Sequence, residues 1–547
     1  MPRRKFDDST ESKPRAFDPL PFQKNVFGAV SRQPKVAAAA ADASLTTAEK
    51  SSLNRFINSG KTPIKMLAVA SFLAGCLALL FFLPKTKPVS KTAGETEECR
   101  CETADLETVN FGFPDLADEF QPPSWWKKLY ETDARKFSIF RLSQDYPVRL
   151  ADSNSCAEGV GVIRRWENFD FRTESKEYMN EILRYAFEGN LEIDWRVREN
   201  AARKWLHAPW MHAGRYGREF VRGLTKERKT CRSELLGSRE KCAPEAEKYQ
   251  SWAIAFYNSH GAFYLGKVWQ EMTGSEKPSA KNFPAEGFPA GTVSLKLIFT
   301  EADAAAAPYL ENSVEWLADT KRARASGFAA ADCLDDNGAG EVNLNCFARL
   351  RLLQVDVAAR DDRSPTGWVF GTFTYNKDAE PIFDYPFAAN MSAAERDYLQ
   401  KWLRLEFVGL MFGNDEGVTI SGGNLSESVI NRQNPIKSHL GCGGRLNGMI
   451  DAPVSSCFSC HSMAETPKNL AVKPMPYEDM KCREDQLERW FRTINPRGAD
   501  LARRTFTAPE EARAAGEEFF PLDYSLQLRE GIMRYCEENK QKCGLPD

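Results

Sequence analysis

Histidine is scarce in this chain, with five residues in 547 against fourteen cysteines. Any Cys–His pattern at fixed spacing is therefore improbable by chance. Charge of one sign is not in excess either: 73 Lys and Arg against 76 Asp and Glu leave a net −3, which gives no sign of nucleic-acid binding. Gly (35) and Pro (30) are ordinary and 42% of residues are hydrophobic, which excludes a collagen-like or mostly disordered chain. Only one long uncharged apolar run occurs, which excludes a polytopic membrane protein. The length leaves room for roughly two to four domains.

That run covers 66–83, with Lys61 and Lys65 before it and Lys85 and Lys87 after it. At about 1.5 Å per residue it reaches roughly 27 Å, close to a hydrocarbon core. The expectation is a single transmembrane helix over 64–83. Cys76 closes a Leu-Ala-Gly-Cys box, so lipid attachment there is the alternative, although the apolar run continues past it. Residues 1–65 hold 12 Lys and Arg against 6 Asp and Glu. This excess places a disordered tail, 1–63, in the cytoplasm and the bulk of the chain in the periplasm, anchored in the inner membrane.

Residues 84–122 read as a linker and 123–390 as a mixed helical and β-rich exported region. Within that region 249–272 suggests a buried helix broken near Gly261. Around 285–390 the β signal is strongest, with strands expected at 291–299, 350–357 and 367–375 and a turn over 361–367 joining the last two. Residues 391–547 return to helix. Ser392 and Glu395 form a capping box opening an apolar pattern through Phe407, and 484–494 and 523–539 are further helices. The fold class expected is α+β: a transmembrane anchor, a mixed region with a β-rich middle block, and a mainly helical C-terminal portion.

The haem assignment rests on Cys457-Phe458-Ser459-Cys460-His461. C-x-x-C-H is the attachment signature of haem c. Two thiols three residues apart can each add to a different vinyl group of one porphyrin, and the adjacent His meets the iron as its proximal ligand. With so few Cys and His, roughly 0.003 occurrences are expected in a chain of this composition. Zinc would want a second such pair, and there is none, since Cys99 and Cys101 have the wrong spacing. No βαβ pattern flanks the motif to suggest a thioredoxin-like pair, and a structural disulfide beside a bystander His is the plainest rival.

The chain resembles c-type cytochromes, and most of all bacterial single-haem cytochrome c family proteins. The likeness is carried by Trp205 to Met211, Gly217 to Phe220, Thr366 to Phe373, Gly409 to Asp415, His439 to Gly448, Ser455 to His461 and Leu522 to Leu528. It covers most of 120–547 discontinuously. It implies one covalent haem c held by Cys457, Cys460 and His461, and says little of substrate. For the opposite face of the iron, Met475 between two prolines is the leading candidate and His439 the alternative, ahead of Met480 and Met533. His207, His212 and His260 read as packing residues. Arg445, Arg489 and Arg492 could neutralise haem propionates, although for any one of them a solvent-facing side chain is the stronger reading.

Setting aside Cys76, Cys457 and Cys460, eleven cysteines remain, a density expected of an oxidising compartment. Separation alone suggests Cys231–Cys242, Cys333–Cys346 and Cys536–Cys543. The functional expectation is a membrane-anchored periplasmic cytochrome in electron transfer, with redox proteins or a membrane respiratory complex as partners and no nucleic acid. The alternatives are a haem c oxidoreductase with a substrate pocket in the large exported region, or an accessory haem subunit.

Overall fold

The computed structural model describes residues 107–115, 139–149, 164–211, 218–237, 242–243, 245–270, 278–320, 347–436, 440–466, 481–494 and 520–543. All of them belong to the unit Glu95–Asp547. Strand β1 (Thr108–Asn110) pairs with β2 (Asp145–Pro147). The principal element is an antiparallel sheet of nine described strands. Its central path runs through β3 (Trp205–Leu206), β5 (Lys248–Asn258), β6 (Val293–Thr300), β8 (Ala348–Arg360), β9 (Trp368–Tyr375), β10 (Leu405–Met411) and β11 (Ser428–Ile430). Strand β4 (Thr225–Cys231) pairs with β5, and β7 (Glu315–Ala318) with β8.

Alternation along these strands decides what each face carries. Trp252, Ile254 and Phe256 on β5 lie opposite Phe299, Leu297 and Leu295 on β6, and Val355 and Phe373 continue the row. These side chains form one core with helix α1 (Ser175–Phe187), whose Met179, Ile182, Leu183 and Ala186 are buried in it. Trp195, Trp316 and Trp402 complete that layer, with Phe299 stacked on Trp316 at 4.2 Å. The other face carries Tyr257, Phe370 and Met411 into a second core. There they meet helix α2 (Ser259–Trp269) and the C-terminal segments.

The expected β8–β9 hairpin is present, and its turn explains a glycine. Gly367 has φ +77°, and a Cβ there would sit 1.5 Å from Arg360 Nη1, so the buried guanidinium occupies the space of a side chain. The capping box also forms, opening α3 (Ala393–Trp402): Ser392 Oγ accepts from the Glu395 amide, and the Glu395 carboxylate accepts from the Ser392 amide. Ser392→Ala is expected to cost about 1 kcal/mol, read as a lower urea midpoint.

The expected fold class is corrected by this architecture. Residues 391–547 are not a mainly helical haem portion, because β10 and β11 belong to the large sheet. The 3.6-residue rhythm stops at Trp402, while Leu405 and Phe407 follow a two-residue rhythm along β9, so one apolar run spans two elements. The same ambiguity affects 249–272. Trp252, Ile254 and Phe256 alternate on a strand, and only from Ser259 does the chain become helical. No helix among the described residues is long and apolar enough to cross a membrane. The expected anchor, 64–83, lies outside the described residues, as do Cys76 and the pair Cys333 and Cys346. Two suggested cysteine pairs, Cys231–Cys242 and Cys536–Cys543, are joined as disulfides. Glu234, which sits beside the first, therefore has no metal site to complete there.

Candidate haem-attachment site

The C-x-x-C-H motif forms the short helix α4 (Cys457–His461), and its first turn is fixed by its own sequence. Ser456 caps it, accepting from the Ser459 amide at 3.1 Å, and donates to Asn414 Oδ1 at 2.6 Å. Helical geometry puts residues i, i+3 and i+4 on one side, so Cys457, Cys460 and His461 share a face. All three are half-buried, while Phe458 and Ser459 behind them are fully buried. Phe458 fixes the helix from that side, edge-on to Phe370 at 4.6 Å and to Tyr524 at 5.1 Å.

His461 Nδ1 lies 2.8 Å from the carbonyl oxygen of Tyr524. A carbonyl can only accept, so the proton resides on Nδ1 and Nε2 carries the lone pair. Burial, with a smaller contribution from Lys296, lowers the imidazole to about 4, against the raising effect of the Tyr524 carbonyl. The ring is thus neutral near pH 7, which is the form a metal ligand requires. Burial and the nearby Asp451 and Asp356 carboxylates push the Cys457 thiol up.

The corner that presents this carbonyl is strained. Asp523 and Tyr524 both adopt left-handed backbone angles, φ 45° and 64°. Asp523 Oδ2 accepts from the Phe288 amide at 2.7 Å, and the Tyr524 hydroxyl donates to the Ile494 carbonyl at 2.6 Å. The two-residue ladder of β12 (Glu465–Thr466) and β13 (Phe520–Pro521) brings this corner alongside α4. Sequence reasoning named neither Asp523 nor Tyr524 as a site residue, and the likeness over 522–528 was the only pointer.

A polar row also went unnoticed. Lys296, Asp356 and Thr372 lie side by side on β6, β8 and β9, on the face that carries Phe370, whose ring is 4.7 Å from that of His461. Lys296 pairs with Glu227 at 2.9 Å, and Asp356 accepts from Thr372 and Gln354. Burial first, and Asp451 second, push Asp356 up to about 7. The signal was present in the sequence: a lysine midway along Val293-Ser294-Leu295-Lys296-Leu297 is unusual in a central strand.

Other candidates take different places. Met475 and His439 lie outside the described residues, as do Met480 and His212. Arg445 neither reaches solvent nor keeps a guanidinium for propionates; it is fully buried and donates to the carbonyls of Asn414, Asp415, Val418 and Cys442. His207 is a packing residue, its Nδ1 accepting from the Ser143 amide at 2.9 Å and its ring edge-on to Phe140 and Phe256.

His260 is also buried, and burial, aided by Arg164, lowers it to about 4. The unfolded chain binds that proton near the ordinary value of about 6.5, so stability is full above it and falls as pH drops toward about 4. The urea midpoint is therefore expected to be lower at about pH 5 than at about pH 7, and His260→Asn to shrink the difference. An undiminished difference in the variant would assign the acid sensitivity to other groups.

No protein-family model, curated protein or solved structure matches this chain.

Proposed function

We propose that this chain is a c-type haem protein that works in electron transfer on the periplasmic side of the inner membrane. The carrying observation is the shared face of Cys457, Cys460 and His461, with the His461 tautomer set by the Tyr524 carbonyl. These residues fit the group: two half-buried thiols at attachment spacing, and one neutral imidazole offering Nε2. Bound haem c supplies a one-electron ferric–ferrous couple. The chain supplies the proximal nitrogen, the orienting carbonyl, and aromatic cover from Phe370, Phe458 and Tyr524. Met475, or His439 instead, would be the chain's second ligand to the iron, and redox proteins are the partners this reading implies. A pyridine haemochrome on exported protein tests it. A c-type spectrum that survives acidified-solvent extraction is expected, and a colourless protein would refute the proposal.

A second reading, a haem oxidoreductase, is favoured by the row of Lys296, Glu227, Asp356 and Asp451 beside the motif. An acid pushed up to about 7 suits proton delivery better than it suits a plain carrier. Carbon monoxide separates the two. An unshifted Soret band in the ferrous protein is expected of the carrier, whereas a shift shows a sixth position that can be vacated and favours the enzyme.

A further inference from the structure

Two thiols beside the motif form a pair that no role above uses. Cys442 is buried in the Gly-rich turn 441–444, and Cys482 is half-buried just before helix α5 (Glu484–Trp490). Cys482 packs against the cluster that holds Cys442, and its thiol pushes the Cys442 thiol up. Both belong to one small cluster with Ala452, Val454, Met463, Trp490 and Phe491, and the attachment residue Cys460 packs against the same cluster.

The backbone of Cys442 is held firmly. Its amide donates to the Ser455 carbonyl at 3.2 Å, and its own carbonyl accepts from Arg445. The turn passes close against Ser455, because a Cβ on Gly441 would lie 1.7 Å from the Ser455 carbonyl oxygen. Cys442 is thus fastened to the residue that precedes the cap of α4. A metal does not account for the pair, since among the described residues no third Cys, His or carboxylate joins them at ligand distance. Cys231–Cys242 and Cys536–Cys543 are already disulfides in the same unit.

Three cysteine sulfurs around one cluster create a problem of choice. Attachment requires Cys460 as a thiol, and in an oxidising compartment Cys482 or Cys442 would compete to pair with it. We propose that Cys442 and Cys482 are joined as a disulfide in the exported protein, and that this bond withholds both sulfurs from Cys460. The first half stands without the haem reading, and the second half rests on it. The oxidant is a protein disulfide of the exporting compartment. Cys482, the more exposed, attacks one of its sulfurs as the thiolate and the other sulfur leaves as a thiolate. Cys442 then attacks Cys482 and releases the partner's second thiolate. Two thiols lose two protons and two electrons, and one partner disulfide becomes two thiols.

The full-length exported protein tests this after alkylation under native and then denaturing conditions and digestion without reduction. A linked Cys442–Cys482 peptide pair without alkyl groups is expected. Alkylated Cys442 and Cys482, or either one bonded to a different cysteine, would overturn the disulfide. Haem on the peptide holding Cys457 to His461 is scored separately by absorbance, so loss of the haem reading shows independently. The protective role has its own signature. Cys442→Ser should reduce haem loading several-fold and yield a Cys460–Cys482 linked peptide, while Cys442→Ser/Cys482→Ser should restore loading. Equal loading in the single and double variants, whether high or low, would refute protection, because a folding defect caused by losing the Cys442 thiol would burden both alike.

Discussion

Replacing Cys457 and Cys460 together by Ser is expected to leave a folded chain with no covalently bound haem. The reason is local. Both sulfurs sit on the half-buried face of α4, while its cap at Ser456 and its anchor at Phe458 are untouched by the change. Far-UV circular dichroism should be unchanged while haem staining after denaturing electrophoresis disappears. His461→Ala separates the two functions of the motif: the thioethers remain and pigment stays attached, but the low-spin spectrum is lost. Haem that survives denaturation in the doubly substituted chain would mean that attachment does not run through these thiols.

Arg445→Met carries the largest expected stability loss, about 3–5 kcal/mol, read from urea unfolding. Its guanidinium joins four carbonyls within 3.1 Å and lies 4.5 Å from the centre of the Phe491 ring. A methionine of similar reach fills the volume and leaves those oxygens without a donor in a buried place. The damage should reach the motif, because the Asn414 and Asp415 carbonyls that Arg445 gathers belong to the loop whose Asn414 side chain receives Ser456. A loss under about 1 kcal/mol would indicate that water replaces the guanidinium at those carbonyls.

Much of the site was legible because its chemistry is local in sequence. Two cysteines and a histidine within five residues carry their geometry with them once the segment is helical. The capping box at Ser392 and the turn joining β8 to β9 were legible for the same reason, since each is decided by side chains a few residues apart. The strands β5 and β10 were hidden because short apolar runs fit both periods, and the partner strand decides between them. Tyr524 was out of reach altogether. It acts through a backbone carbonyl, which any residue possesses, and meets His461 across 63 positions of sequence. Lys296 and Asp356 face one another only through strand register, which no local pattern contains.

The most direct test of the central claim is the intact mass of the purified full-length protein after denaturation. One haem added to the polypeptide mass, localised by fragmentation to the segment holding Cys457 and Cys460, is the predicted result. A polypeptide at its unmodified mass, or haem bonded elsewhere in the chain, would contradict the account.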